Sequence, residues 1–87
     1  MIKAIKITYQ EPDFLTGYPD QDVNIFYIEI ETSHYTIDWE LEDIEGLCLV
    51  ETVVNGIKDE CPEIETIDLY SIFKEARKKG YCEKVFS

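Results

Sequence analysis

Residues 23–41 read Val23-Asn24-Ile25-Phe26-Tyr27-Ile28-Glu29-Ile30-Glu31-Thr32-Ser33-His34-Tyr35-Thr36-Ile37-Asp38-Trp39-Glu40-Leu41. Two runs, 23–31 and 35–41, place an apolar residue at every second position, the pattern of a strand with one buried face. Only Thr32-Ser33-His34 separates them, so the pair predicts an antiparallel hairpin. With Ser33 and His34 as a two-residue turn, Ile30 lies opposite Ile37, Ile28 opposite Trp39 and Phe26 opposite Leu41. Every large apolar side chain then falls on one face, with Trp39 expected at the centre of the core. A slip of one residue would turn one strand's apolar set outward, so the hydrophobic pattern supports the register independently of the turn. Ser-His is not a favoured primed-turn pair, and a longer loop with the same facing is the alternative.

The same register defines the other face. Glu31 stands opposite Thr36, Glu29 opposite Asp38 and Tyr27 opposite Glu40, with Glu42 just beyond. Opposed Cβ atoms in such a ladder are about 4.5–5.5 Å apart, close enough for like charges to be destabilising. Two readings follow. The face is solvated and partly neutralised by Lys3 or Lys6 of a neighbouring strand, or it is a docking surface on which carboxylates take positions like the phosphates of a nucleic acid. On the second reading the partner-binding residues are Tyr27, Glu29, Glu31, Asp38, Glu40 and Glu42.

Upstream, residues 2–9 alternate with Ile5, Ile7 and Tyr9 on one face and predict a further strand. Residues 10–21 contain two prolines and a glycine and predict a long loop, with Phe14, Leu15 and Tyr18 packing down onto the core. Asp20, Asp22, Asn24 and Glu31 superficially match the ends of a calcium loop. Ile25 occupies the position where that loop needs glycine, and the residues after it alternate as a strand, so no metal is expected.

Downstream, Ile44, Leu47, Val50, Val54 and Ile57 recur at three- and four-residue spacing and predict a helix over 43–59, with Asp43 and Glu45 at its electropositive start. The rival is a strand over 47–53 followed by an Asn55-Gly56 turn. Residues 63–67 read as a short extended segment after Pro62. A second helix is predicted over 68–79: Leu69, Ile72, Phe73 and Ala76 form its stripe, Asp68 caps it and Gly80 ends it. Arg77, Lys78 and Lys79 complement the macrodipole at its C-terminal end. Residues 81–86 are placed as an edge strand. The fold class is therefore α+β, an antiparallel sheet of three to five strands with two helices packed on one face.

A chain of 87 residues supports one hydrophobic core, and residues 1–87 are read as a single domain. Its 19 acidic and 8 basic residues give a net charge of −11, concentrated before residue 67. Such a field repels nucleic acids and anionic membranes and attracts cationic proteins. No apolar run approaches the roughly 20 residues of a membrane span, and residues 1–6 break up too quickly for a signal-peptide core. An unexported, cytoplasmic protein is expected. Cys48, Cys61 and Cys82 are widely spaced, form no Cys-x-x-Cys pair and read as free, mostly buried thiols. Cys82, near Lys79 and Lys84, is read as packed rather than nucleophilic. His34 is read as a turn residue, and no phosphate loop or dinucleotide fingerprint occurs. No catalytic residue and no cofactor are assigned.

Short, acidic chains without motifs are a class in which phage-borne inhibitors and toxin-immunity proteins are common. The expected function is accordingly a non-enzymatic inhibitor or regulator of a basic, nucleic-acid-handling partner. The alternative is a structural or assembly subunit that self-associates, as a homodimer for instance, through Val23, Ile25 and Tyr27.

Overall fold

The computed structural model describes residues 1–11, 23–44 and 46–86. Strands β1 (Ile2–Gln10), β2 (Ile25–Thr32) and β3 (Thr36–Glu42) precede helix α1 (Leu49–Ile57), a 3₁₀ turn (Pro62–Thr66), helix α2 (Leu69–Lys79) and strand β4 (Tyr81–Val85). The sheet is antiparallel, with order β3-β2-β1-β4. Both helices pack on one side of it, which is the α+β arrangement expected. Among the described residues no helix is long and apolar enough to cross a membrane.

The hairpin register is the one the alternation dictates, with Phe26 opposite Leu41, Ile28 opposite Trp39 and Ile30 opposite Ile37. The turn is tight even though Ser-His is a poor primed pair, and no described non-glycine residue takes a positive φ. Thr32 supplies what the turn lacks. Its Oγ1 accepts the Tyr35 N–H at 3.0 Å and donates to the Tyr35 carbonyl at 2.7 Å, so a hydroxyl substitutes for a backbone carbonyl. In β1 a bulge at Lys3 lies between the Ile2–Thr32 and Ala4–Glu31 pairs. Two residues there face one, which lets both Ile2 and Ile5 bury their side chains while Lys3 stays exposed.

The core is Ile5, Ile7, Phe26, Ile28 and Ile30 of the sheet against Val53 and Ile57 of α1, Ile64 of the 3₁₀ turn, and Leu69, Ile72 and Phe73 of α2. Phe26 meets Phe73 edge to face, with ring centroids 5.0 Å apart. Asp68 caps α2 by accepting the Ser71 N–H at 3.3 Å. Gly80 closes the helix at φ 86, a left-handed conformation that only glycine adopts without strain. The Gly80 carbonyl then accepts the Tyr9 N–H, so the cap is already the first bond of the β1–β4 ladder.

Four expectations are corrected. The helix predicted over 43–59 begins at Leu49, so Ile44 and Leu47 are not in its stripe and are 48% and 44% exposed. Gly46 at φ 89 cannot continue a right-handed helix, and Asp43 is held elsewhere, as described below. Asn55 and Gly56 lie within α1, which removes the rival strand and turn. The extended segment expected over 63–67 is instead the 3₁₀ turn Pro62–Thr66, with Pro62 in its first turn, Ile64 fully buried and Ile67 alone extended, because proline's fixed φ suits a helical start. Cys48 is exposed rather than buried, while Cys61 is buried. The loop expected over 10–21, with Phe14, Leu15 and Tyr18, lies outside the described residues apart from Gln10, which ends β1, and Glu11. Glu45, Asp20 and Asp22 also lie outside them.

Trp39 faces inward but is only partly buried, packed against the core rather than at its centre. The indole seats on Gly56 of α1, where an added Cβ would fall inside the ring's van der Waals envelope. Gly56→Ala should gain up to about 1 kcal/mol of helix propensity and lose more to overpacking, for a net destabilisation of roughly 1–2 kcal/mol in denaturant unfolding. In a Trp39→Ala background the same substitution should become neutral or stabilising. Equal stability of Gly56→Ala and the parent would show that the ring does not rest there.

Candidate partner-binding face

With both helices on one side, every second residue of the four strands lies on the face that no helix covers, where Ala4 alone of the rows below is buried. The pairings lay these side chains out in rows across the sheet. One row runs Tyr81, Thr8, Tyr27, Glu40; the next runs Glu83, Lys6, Glu29, Asp38; a third runs Val85, Ala4, Glu31, Thr36. Glu42 follows beside Ile25. All six residues assigned to the face from sequence, Tyr27, Glu29, Glu31, Asp38, Glu40 and Glu42, therefore share one surface. Tyr27 is partly buried and the five acids are exposed. The centre of the face is a broad, shallow concavity of about 600 Å³ bounded by Lys6, Thr8, Tyr27, Glu29, Asp38, Glu40 and Tyr81, a shape that sheet twist produces.

The bond pattern sharpens the electrostatics. Thr32 N–H donates to Tyr35 O and Asp43 N–H to Asn24 O, at 2.9 and 2.8 Å. Antiparallel alternation then makes 37/30, 39/28 and 41/26 the hydrogen-bonded pairs and leaves Glu29/Asp38 and Tyr27/Glu40 as non-hydrogen-bonded pairs, in which side chains come closest. Glu29 and Asp38 are thus like charges at the tightest cross-strand spacing. Lys6 relieves one of them, its Nζ 3.8 Å from Glu29 Oε2, whereas Lys3 sits at the bulge. Glu83 adds a carboxylate that sequence reading did not assign to the face. Tyr81 donates to it at 2.6 Å, and this bond holds the phenol's pKa above its ordinary value. Its one early signal was the alternation after Gly80. Among the described residues no three His, Cys, Asp or Glu side chains converge as metal ligands; Asn24 donates to Tyr9, and Glu31 lies in β2.

A polar latch behind one end of the sheet fixes three of its elements. Arg77, on the last turn of α2, donates to Asp43 from Nε at 3.2 Å and from Nη2 at 2.9 Å. Tyr9 at the end of β1 donates to the same carboxylate at 2.7 Å. The Arg77 guanidinium also lies over the Phe26 ring, 5.4 Å from its centroid. Burial pushes the Asp43 pKa upward, but the hydrogen bonds from Arg77 and Tyr9 and the arginine's charge outweigh it and hold the carboxyl below its ordinary value. Sequence reading gave both charges local roles, Asp43 at a helix start and Arg77 at a helix end. Nothing in a single sequence joins residues so far apart on different elements.

The chain matches no protein-family model, no curated protein and no solved structure, so the reading of the face rests on its own chemistry.

Because the native Asp43 carboxyl is depressed, its stabilisation is complete above the unfolded value near pH 4 and is lost as pH falls through the native value. Asp43→Asn should therefore cost about 1–2 kcal/mol at pH 7, limited by the half-exposed arginine. The gap to the parent should close below about pH 4. Urea titrations at pH 7 and pH 3 measure it; a gap of the same size at both would assign the loss to shape rather than charge.

Proposed function

We propose that this chain is a small, non-enzymatic binding protein whose acidic sheet face docks a Lys/Arg-rich partner and so inhibits or regulates it. One observation carries the reading: Glu29 and Asp38 oppose each other at close range on a face that no helix covers, and Lys6 pairs with Glu29 alone. Stability alone disfavours that arrangement, whereas a cationic partner turns each carboxylate into an attractive contact and speeds encounter. The spread of carboxylates over a broad, open face suits a basic surface built to hold phosphates. A nucleic-acid-handling enzyme offers one, since it evolved to hold a lattice of phosphates. In this reading the protein acts as a nucleic-acid mimic that occludes such a channel, in the manner of phage-borne inhibitors and immunity proteins.

A second reading, self-association as an assembly subunit, draws on a different surface from the one first expected. Ile25 and Tyr27 are already partly buried, as is Val23. Leu47 and Tyr70, 44% and 68% exposed, instead flank a groove of about 290 Å³ beside Cys48, Phe73, Lys74 and Arg77.

The variant Asp38→Lys/Glu40→Lys separates these readings. It should unfold at the parent's denaturant concentration or slightly above, since each relieved cross-strand repulsion contributes at most about 1 kcal/mol. A basic protein captured by the parent should lose affinity for the variant, and the parent complex should weaken between low and physiological salt. Equal capture by both forms would make the acidic face ordinary solvated surface. A concentration-dependent dimer unaffected by the double substitution would favour the assembly reading.

A further inference from the structure

We propose that the free edge of β3 receives an extended basic segment of the partner as an added antiparallel strand. This rests on the docking face above and gives it a specific geometry. β3 lies at one margin of the sheet. The same alternation that turns the backbones of Ile37, Trp39 and Leu41 toward β2 turns the N–H and C=O groups of Thr36, Asp38 and Glu40 outward. Among the described residues no backbone bond beyond the sheet's own ladders reaches those three. The edge carries no proline and no bulge, two common devices against strand addition.

The chemistry of the incoming strand follows from register. A residue directly opposite Asp38 or Glu40 exchanges both backbone bonds with it, and its side chain stands on the same face as the carboxylate. Those positions call for Lys or Arg. The residues between them project to the other face, beside Trp39, whose side chain is only partly buried at this margin. They call for apolar side chains. The fitting segment therefore alternates basic and apolar residues, and antiparallel pairing is the more stable orientation.

A second copy of this chain is a poor occupant. β3 against β3 sets acids against acids. The other edge, β4, turns the backbones of Tyr81, Glu83 and Val85 outward, and Glu83 would face the same carboxylates. Charges of one sign on an open edge block self-pairing and select a partner of the other sign.

The probe is an end-capped seven-residue peptide, Lys-Val-Lys-Val-Lys-Val-Lys, with two analogues: one N-methylated at the two inner lysines, whose N–H groups meet β3, and one at the two outer valines, whose N–H groups point away. The parent peptide should bind the full chain and slow hydrogen exchange at the Asp38 and Glu40 amides. Methylating the lysine nitrogens should weaken binding about thirtyfold, the loss of two backbone bonds. Methylating the valine nitrogens should leave affinity near the parent value. If both analogues bind like the parent peptide, and all three lose binding to Asp38→Lys/Glu40→Lys, the acidic face stands and strand addition is overturned. If none binds at low salt, the docking face fails and strand addition with it.

Discussion

One-sided burial is the constraint from which the rest of this molecule follows. Two short helices and a 3₁₀ turn cover a single face of four strands, so the core must come from every second residue of each strand, and the intervening residues meet water whatever else they do. The chain satisfies the first demand with isoleucines at Ile5, Ile7, Ile28 and Ile30, all essentially inaccessible to solvent, around Phe26. It answers the second with carboxylates, well beyond what solubility alone asks of a small domain. The strands thus set both the scaffold and the charge lattice through one period-two pattern.

The Asp43–Arg77–Tyr9 latch serves that arrangement from behind. β1, the segment leaving β3 and the end of α2 meet there, and a bidentate arginine fixes their mutual orientation more firmly than apolar contact would. Its neighbour Phe26 lies under the guanidinium and against both Tyr9 and Phe73. The sheet end carrying Glu40 and Glu42 is therefore anchored through α2, while the opposite end rests on the Thr32 turn. A face held at both ends keeps its backbone, and so the roots of its exposed carboxylates, in a fixed pattern.

How much of this was legible in the sequence depended on range. The hairpin register, the Asp68 cap and the Gly80 stop are local signals, and each placed its element within a residue or so. Ile44 and Leu47 misled because three- and four-residue spacing continues through them, while the backbone is interrupted by Gly46, a conformational fact invisible to periodicity. Trp39 was assigned to the centre of the core because its face was read correctly but its position on an edge strand was not. Five of the face's carboxylates were found because they share one hairpin. Glu83 and the Asp43–Arg77 pair were not, since they depend on contacts between distant segments.

The order of strands in the sheet also bears on how it forms. The β2–β3 ladder closes a loop of two residues, whereas the β1–β4 ladder joins Ala4 to Val85, so the entropy of loop closure favours the hairpin first. That early ladder is the one with Glu29 set against Asp38, and the lysine that relieves it arrives only when β1 docks. The hairpin on its own is thus electrostatically frustrated, and its pairing is completed by a strand from elsewhere in the chain. The isoleucines that β1 and β2 share in one core couple local structure to long-range assembly, and the exposed Lys6–Glu29 pair adds a small electrostatic part to that coupling.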